Sequence, residues 1–203
     1  MPLPTAKAIM AKPSALKVAL EDVNGLPEQE IEYTFYGKLK SIRELDKAKH
    51  KETHEQWKLP LAIKNGVKSR IRCINEMRWV LTTKTTIAGK LGVEEIEVDI
   101  TKEMFARLRQ AGEGGYKKTR YNFPIMGTDK KWEVDVFMNQ LGEPSLWVKI
   151  DLEVSGRDDA IPEFSFELDD IITNQETQQT VEENRFIKKL WDSEWCSLDE
   201  AAG

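Results

Sequence analysis

Seven short segments of this chain alternate apolar residues with charged or polar ones, and this alternation constrains the fold more than any other feature. They cover residues 30–35, 68–72, 78–84, 94–100, 116–121, 132–137 and 146–154. Successive side chains of a β-strand point to opposite faces, so a period of two predicts strands with one apolar and one charged face. An antiparallel sheet with one wet face and one face covered by helices would explain the alternation.

The charges are also sorted by sign, which an ordinary wet face does not explain. One segment carries a basic row, made of Lys68, Arg70 and Arg72. Another segment carries an acidic row, made of Glu95, Glu97 and Asp99. Because like charges in a row repel each other, each row needs opposite charges or a bound polyanion beside it.

Two arrangements would satisfy these rows. In the first, basic and acidic strands form ion pairs across an ordinary sheet. In the second, which we favour, the sheet curls so that its charged faces line a cavity and its apolar faces lie outside under helices. Arginine and lysine bind phosphate oxygens, and paired carboxylates hold a hard divalent ion such as Mg²⁺ or Mn²⁺. A cavity lined by both signs therefore suits a metal-chelated polyphosphate.

Composition excludes several classes of protein. The 203 residues suffice for one buried domain, and the net charge of -5 argues against general nucleic-acid binding. The two cysteines, Cys73 and Cys196, form neither a metal motif nor a disulfide framework, which favours a cytoplasmic protein. No stretch approaches the roughly 20 apolar residues of a membrane helix, so no membrane partner is expected.

The chain is interpreted as one domain with two irregular ends. Residues 1–28 predict an N-terminal arm, residues 29–195 the domain, and residues 196–203 a frayed tail. Thr101 is expected to cap a helix that runs through Leu108. An amphipathic C-terminal helix, marked by Val181 to Trp191, is expected to dock on the apolar side of the sheet.

Residues 38–56 contain mostly helix formers and predict a helix that gives way to a polar segment. His50 and His54 lie four apart in this region, which invites a metal interpretation. Without a third ligand nearby, a solvated helix face is the preferred interpretation. The six tryptophans are expected to pack in the core rather than to stack on bases.

The charged residues, taken in order, resemble those of CYTH domains, the triphosphate tunnel metalloenzymes. The resemblance covers about residues 29–155 and rests on Glu30, Glu32, Lys68, Arg70, Arg72, Lys84, Glu95, Glu97, Lys118, Arg120, Asp135, Asp151 and Glu153. It implies an α+β fold in which an antiparallel eight-stranded closed barrel, or tunnel, carries helices on its outside. It also implies a small-molecule triphosphate or nucleotide as ligand, with Mg²⁺ or Mn²⁺ as cofactor.

The resemblance assigns a role to each matching residue. The bases expected to bind the phosphates are Lys68, Arg70, Arg72, Lys84, Lys118 and Arg120. Three of them are expected to act in catalysis, namely Arg72, Lys84 and Arg120. The acids expected to hold metal are Glu30, Glu32, Asp135, Asp151 and Glu153, and Glu95 and Glu97 are expected to line the tunnel.

The sequence departs from the family pattern at its first strand. The family usually has Glu-x-Glu-x-Lys there, and this chain has Thr34 where the lysine would be. That lysine is expected to help position the attacking water or the phosphate, so its absence bears on hydrolysis more than on binding. Asp151 also stands where glutamate is usual.

Three functions follow from this resemblance. The leading hypothesis is a metal-dependent hydrolase of inorganic triphosphate, thiamine triphosphate or a nucleoside or RNA 5′-triphosphate. The second is a class IV adenylyl cyclase that makes cyclic AMP from ATP, although the His-Phe-x-Gly stretch usual in that branch is missing before Glu30. The third is a non-catalytic binder of a nucleotide or a triphosphate. Whether the protein forms a homodimer stays open.

Overall fold

The structure is a computed structural model that describes residues 28–60, 67–86, 93–154, 160–173, 181–195 and 197–198. The predicted N-terminal arm lies outside these residues except for Glu28, and most of the predicted tail lies outside them as well. The backbone of residues 28–30 is described without their side chains, so the predicted metal ligand Glu30 is placed only by its strand.

The described residues form nine strands and two α-helices, which confirms the predicted α+β class with an antiparallel sheet. The elements are β1 (Glu28–Leu39), β2 (His50–Leu59), β3 (Val67–Ile74), β4 (Arg78–Thr86), β5 (Val93–Asp99), α1 (Lys102–Arg109), β6 (Glu113–Pro124), β7 (Lys131–Met138), β8 (Pro144–Val154), β9 (Leu168–Thr173) and α2 (Val181–Lys189). A 3₁₀ turn spans Ile42–Lys47, and a π turn, Leu190–Glu194, follows α2. Each of the seven predicted segments lies within or overlaps one of these strands.

The strands form one sheet in the order β5-β4-β3-β2-β6-β7-β8-β1-β9. Two strands share the edge of β1 that faces away from β8. Strand β9 lies beside residues 35–39, and β5 lies beside residues 28–30. The edge strand β5 thus also pairs with β1, over three residue pairs. The nine-stranded sheet differs from the eight strands expected, and a closed barrel stays a prediction.

The predicted helix over residues 38–56 is wrong. Strand β1 continues to Leu39, the 3₁₀ turn follows, and β2 begins at His50. Strand β2 alternates polar residues on both faces until Trp57, so it lacks the apolar contrast that marks the other strands. Its pairing with β3 and β6 overrides the helix propensity of its glutamate, glutamine and lysine residues.

The apolar strand faces form two buried clusters, as the alternation predicts. The larger one lies on β1, β6, β7 and β8 and includes Trp132, Val134, Ile150 and Leu152, all fully buried. The smaller one lies on β2, β3 and β4 around Trp57 and Ile71. These clusters position the site because they fix which face of each strand is left for the charged residues.

Helix α1 begins where the sequence predicts. The hydroxyl of Thr101 accepts a hydrogen bond from the Met104 backbone N–H at 3.1 Å, which caps the helix. Phe105 and Leu108 pack on the smaller apolar cluster, and Phe105 meets the Trp57 ring edge to face. In the described part of the chain, no helix is long and apolar enough to cross a bilayer.

The C-terminal helix does not dock on the apolar side of the sheet, and that prediction is wrong. Helix α2 and its π turn pack against aromatic residues on the same strand faces as the charges. These strand residues, which we call the aromatic end, are Tyr36, Tyr116, Phe137 and Trp147. The Trp191 indole N–H donates to the Tyr36 hydroxyl at 3.1 Å, and the Trp195 N–H donates to the Trp147 carbonyl at 3.3 Å.

Candidate functional site

The strand registers bring acidic and basic residues from eight strands onto one face, which we call the charged face. Its side chains are Glu32 and Thr34 on β1, Glu52 and His54 on β2, Lys68, Arg70 and Arg72 on β3, Thr82 and Lys84 on β4, Glu95 and Glu97 on β5, Lys118 and Arg120 on β6, Glu133 and Asp135 on β7, and Lys149, Asp151 and Glu153 on β8. The predicted site residues with described side chains are all among them.

Ion pairs connect β3, β4 and β5 on this face. Arg72 forms an ion pair with Glu97, whose carboxylate also accepts a hydrogen bond from the Thr82 hydroxyl at 2.9 Å. Glu95 lies 2.8 Å from the Lys84 ammonium and 3.7 Å from the Arg70 guanidinium. The two tunnel-lining acids predicted from the sequence therefore act here as counter-ions of three predicted phosphate ligands.

Arg70 and Arg72 each have a buried hydrogen-bond donor without an acceptor among the described residues. The Nε atoms of Arg70 and Arg72 are inaccessible to solvent and make no hydrogen bond to the described residues. Only 8% of the Arg72 side chain is exposed, so burial lowers its pKa, and repulsion by Arg70 and Arg120 lowers it further. A buried donor left unpaired costs about 1–3 kcal/mol. An anion that accepted from both guanidinium groups would remove that cost.

A second network lies on β6 and β7 around Asp135, which is fully buried. Arg120 donates to both of its oxygens, from Nε at 2.7 Å and from Nη2 at 2.8 Å, and Lys118 donates to the second oxygen. Burial alone would raise the pKa of Asp135, but Lys118 and Arg120 hold it well below its usual range. Both oxygens of this predicted metal ligand are therefore engaged by cations.

A third group joins β1 to β8 around a pair of carboxyl groups. Burial and the nearby Asp151 carboxylate raise the pKa of Glu32 to about 7, although 31% of its side chain stays accessible. The Lys149 ammonium contacts Asp151 and lies 3.7 Å from Glu32, and both acids raise its pKa although burial opposes them. Arg120 lies 3.7 Å from Asp151 and so links this group to the Asp135 network.

Thr34, the residue that departs from the family pattern, lies directly opposite Asp151. Its hydroxyl donates to the Asp151 carboxylate at 2.8 Å. The ammonium that contacts this carboxylate comes from Lys149, two residues earlier on β8. A cation therefore does lie beside the first-strand acids, and it comes from the neighbouring strand.

The acids of β1 and β8 fit a divalent ion in part. In the segments that the structure describes, no group of three or more His, Cys, Asp or Glu side chains is placed to hold a metal. Mg²⁺ is often held by one or two carboxylates, with waters and substrate phosphates completing its shell. Burial and the nearby Asp151 carboxylate raise the pKa of Glu32, so this pair of acids favours a positive charge shared between the two carboxylates. This pair therefore fits an ion that also binds a phosphate.

The other predicted residues lie at the margin of these networks. Glu153 is exposed and lies directly opposite Glu32, and Lys68 is exposed and lies opposite Lys84. Like-charged pairs across strands are unfavourable unless an ion of opposite charge lies nearby, so Glu153 and Lys68 could each bind such an ion.

Four residues of the charged face were missed as candidates, namely Lys149, Glu133, Glu52 and His54. Lys149 and Glu133 lie on predicted strands, and their place in the alternation could have identified them. Glu133 forms ion pairs with Arg120 and Lys131. Glu52 and His54 were missed because β2 was expected to be helical, and residues 50–56 are polar on both faces, so no alternation could have identified these two residues.

No protein-family model and no curated protein matches this chain. Several solved structures, including the following two, are similar to it. The PH1819 protein from Pyrococcus horikoshii OT3 is 21% identical with a TM-score of 0.40, over 63% of this chain and 81% of that one. A Bacillus halodurans protein (bh2851), described as a "putative adenylate cyclase", is 16% identical with a TM-score of 0.44, over 65% of this chain and 83% of that one. The proposal for function therefore rests on the side chains of this chain.

Proposed function

We propose that the protein is a metal-dependent triphosphatase that binds its substrate on the charged face. The observation that carries the proposal is the cluster of Arg70, Arg72 and Arg120 on the charged face. Arg70 and Arg72 keep buried Nε donors without acceptors among the described residues, and burial together with repulsion by Arg70 and Arg120 lowers the pKa of Arg72. A polyphosphate supplies the acceptors that these donors lack, and its negative charge would reduce the repulsion among the arginines.

We further propose that the strands enclose a tunnel with the charged face inside. The pairing of β5 with β1 supports this, because it brings opposite ends of the strand order together. The effect of Lys84 on the pKa of Glu32 supports it as well, since β4 and β1 interact there across the face. The C-terminal helix and the aromatic end would fill one part of this tunnel, which leaves the charged part for the ligand.

The residues of the chain would divide the work on a triphosphate. Arg70, Arg72 and Lys84 on one side and Arg120 on the other would hold phosphate oxygens and neutralise the charge that develops on the transferred group. Asp135 would hold the Arg120 guanidinium in a fixed orientation through its two hydrogen bonds. No covalent nucleophile is required.

Glu32 and Asp151 would hold the divalent ion, with Glu153 and Glu30 as further acids of the same two strands. When bound, the ion would neutralise phosphate charge and activate water as a Lewis acid. Lys149 would position the two carboxylates, because its ammonium contacts Asp151 and lies 3.7 Å from Glu32.

A second candidate is a protein that binds a triphosphate without hydrolysing it. The observation that favours it is Thr34, whose hydroxyl binds the Asp151 carboxylate where the family usually has a lysine. A cation delivered from β8 need not reach the position at which the first-strand lysine would act on a phosphate or a water. Binding would persist in that case, since the arginine cluster does not depend on Thr34.

The test is a product analysis with inorganic triphosphate, thiamine triphosphate and ATP, each with Mg²⁺ or Mn²⁺. Metal-dependent release of phosphate supports the triphosphatase, cyclic AMP from ATP would indicate the cyclase, and tight binding without product would indicate the binder. Arg72→Ala should slow turnover by roughly 100-fold, because it removes a cation from the developing charge. Arg78→Ala is the matched control, since Arg78 is exposed and pairs with the exposed Asp99. Unchanged turnover in a folded Arg72→Ala variant would refute the proposal.

A further inference from the structure

His54 is a buried residue of the charged face with no role in the proposed chemistry. Only 2% of its side chain is exposed, and it lies directly opposite Lys118 of β6. Its Nε2 atom is 3.2 Å from a Glu52 carboxylate oxygen. Its Nδ1 atom is inaccessible to solvent and has no hydrogen-bond partner among the described residues.

The hydrogen bond to Glu52 fixes which nitrogen carries the proton. Burial would raise the pKa of Glu52, but hydrogen bonds from His54 and His50 outweigh it, so this carboxylate is ionised and accepts. Nε2 of neutral His54 must then be the donor, and Nδ1 is left with a lone pair. A buried lone pair without a donor is costly, so Nδ1 is suited to take a proton or a hydrogen bond.

The charges around His54 are mostly positive. Lys118 and Arg120 face it from β6, Arg72 faces it from β3, and Glu52 on its own strand is the one acid among these groups. The three cations disfavour an additional positive charge on the imidazole. A bound polyanion would neutralise them, so the same event that fills the arginine cluster would remove the obstacle to protonating His54.

We propose that His54 takes up a proton at Nδ1 when a polyphosphate binds beside Arg72, Lys118 and Arg120, and that the resulting imidazolium acts as a further ligand of the phosphates. The inference rests on the proposed function, because it requires the polyanion on the charged face. A buffer acid gives up this proton and is left as its conjugate base, and the proton forms an N–H bond at Nδ1.

The sign of the pH dependence follows from the free protein. Burial and the repulsion by Lys118 and Arg120 lower the pKa of His54 to about 4, so the free imidazole is neutral at neutral pH. If binding raises this pKa, the complex holds more protons than the free protein, and affinity rises as pH falls between the two pKa values. The limit is about tenfold in affinity per pH unit for one coupled proton.

The experiment is calorimetric titration of the full chain with inorganic triphosphate, without divalent ions, in buffers of different ionisation enthalpy. The dependence of the heat on the buffer gives the number of protons taken up. The triphosphate and Lys118, whose pKa is lowered to about 7 by burial, also titrate, so the measured quantity is the difference between the wild type and His54→Gln or His54→Asn. Gln preserves a donor toward Glu52, and Asn places a non-titrating amide near Nδ1.

His50→Gln is the matched control, because His50 also contacts Glu52, at 3.2 Å, but is 60% exposed. The wild type and His50→Gln should each take up as much as one proton more than the His54 variants near pH 6. Their affinity should also gain up to about tenfold per pH unit relative to those variants. Nitrogen-15 spectra of His54 should show the neutral Nε2–H tautomer in the free protein and an imidazolium in the complex.

Two results would overturn the inference, and they can be told apart. Tight binding of triphosphate with equal proton uptake in all four proteins, and a neutral His54 in the complex, would refute the role of His54 alone. No binding of triphosphate by the wild type would refute this inference together with the proposed function.

Discussion

Replacing Asp135 by asparagine tests whether the charged face depends on buried counter-ions. The substitution keeps the shape of the side chain and removes its charge. In the wild type, Asp135 is fully buried, accepts two hydrogen bonds from Arg120 at 2.7 and 2.8 Å, and contacts the Lys118 ammonium. The variant therefore leaves Lys118, whose side chain is 5% exposed, without its carboxylate partner, and it leaves Arg120 with Glu133 but without Asp135.

The expected loss in the free energy of unfolding is about 3–5 kcal/mol, the usual cost of breaking a buried ion pair by removing one partner. A domain of this size has roughly 5–15 kcal/mol to lose, so the variant should fold but with a clearly lower midpoint. Adding Lys118→Met should restore about 1–3 kcal/mol, because Lys118 is the cation that loses its carboxylate partner, whereas Arg120 keeps its ion pair with Glu133. Methionine also fills a space similar to that of the lysine stem.

The assay is equilibrium unfolding in urea, with the slope m checked so that a change in midpoint reports a change in stability. The control is Asp99→Asn, because Asp99 also binds an arginine, Arg78, at 2.8 Å, but its side chain is 68% exposed. Exposed pairs contribute about 0–1 kcal/mol, so this variant should change little. The reasoning is refuted if Asp135→Asn costs no more than Asp99→Asn, or if Lys118→Met adds its own loss to that of Asp135→Asn.

The remaining predictions concern the acid pair, the Lys149 ammonium and the packing under the sheet. Glu32 has a pKa of about 7, so Mn²⁺ affinity should rise with pH up to about 7 and level off above it, and Glu32→Gln should remove this dependence in calorimetric titrations. In the metal-free wild type the folded state holds the extra proton between pH 4.5, the usual pKa of a glutamate, and about pH 7. Stability relative to Glu32→Gln should therefore fall as pH rises through that window. Lys149→Gln should lower turnover about tenfold or more, and adding Thr34→Lys should recover part of it in steady-state assays if a cation beside Asp151 is what matters. Gly115→Ala should destabilise the fold by about 1–3 kcal/mol in urea unfolding, because the added Cβ would lie 2.2 Å from the Trp57 Nε1 atom. A loss under about 0.5 kcal/mol would contradict this prediction.

The strands that the sequence predicted are those in which apolar and charged residues alternate, and in all of them except β5 one face packs in an apolar cluster. In β7, the run Trp132, Val134, Val136 alternates with Glu133 and Asp135, so the contrast between faces is complete. Strand β2 was missed because Lys51, Thr53 and Glu55 on one of its faces are as polar as the residues on its other face, and only its partners make it a strand. Local propensity could not reveal those partners.

The packing site of the C-terminal helix could not be predicted from the sequence for a different reason. Ile187 and Leu190 of its predicted apolar stripe are buried, but Val181 is exposed, and the surface that receives the stripe was not predicted. Tyr36 and Phe137 lie directly opposite Lys149 and Lys118, so their positions in the strands place them on the charged face. Their aromatic rings form the surface on which Trp191 and Trp195 pack. Whether this part of the strand face is buried depends on the C-terminal segment, which lies about fifty residues or more away in the sequence.

For the site, the sequence predicted which residues share a face but not which of them pair. The order of acids and bases along the chain was enough to indicate a CYTH-like set, and the registers place the described members on one side of the sheet. The partners depend on neighbours across the sheet, as for Asp135 with Arg120 and for Lys149 with Asp151. Lys149 is the clearest case, because a cation expected on β1 is found on β8.

The most direct test of the central claim is a crystal structure of the protein with inorganic triphosphate and Mn²⁺. The account predicts phosphate oxygens within hydrogen-bond distance of Arg70, Arg72 and Arg120. It also predicts an anomalous manganese peak beside Glu32 and Asp151. Triphosphate bound on the outer apolar faces, or a charged face whose ion pairs are intact with no phosphate among them, would contradict the account.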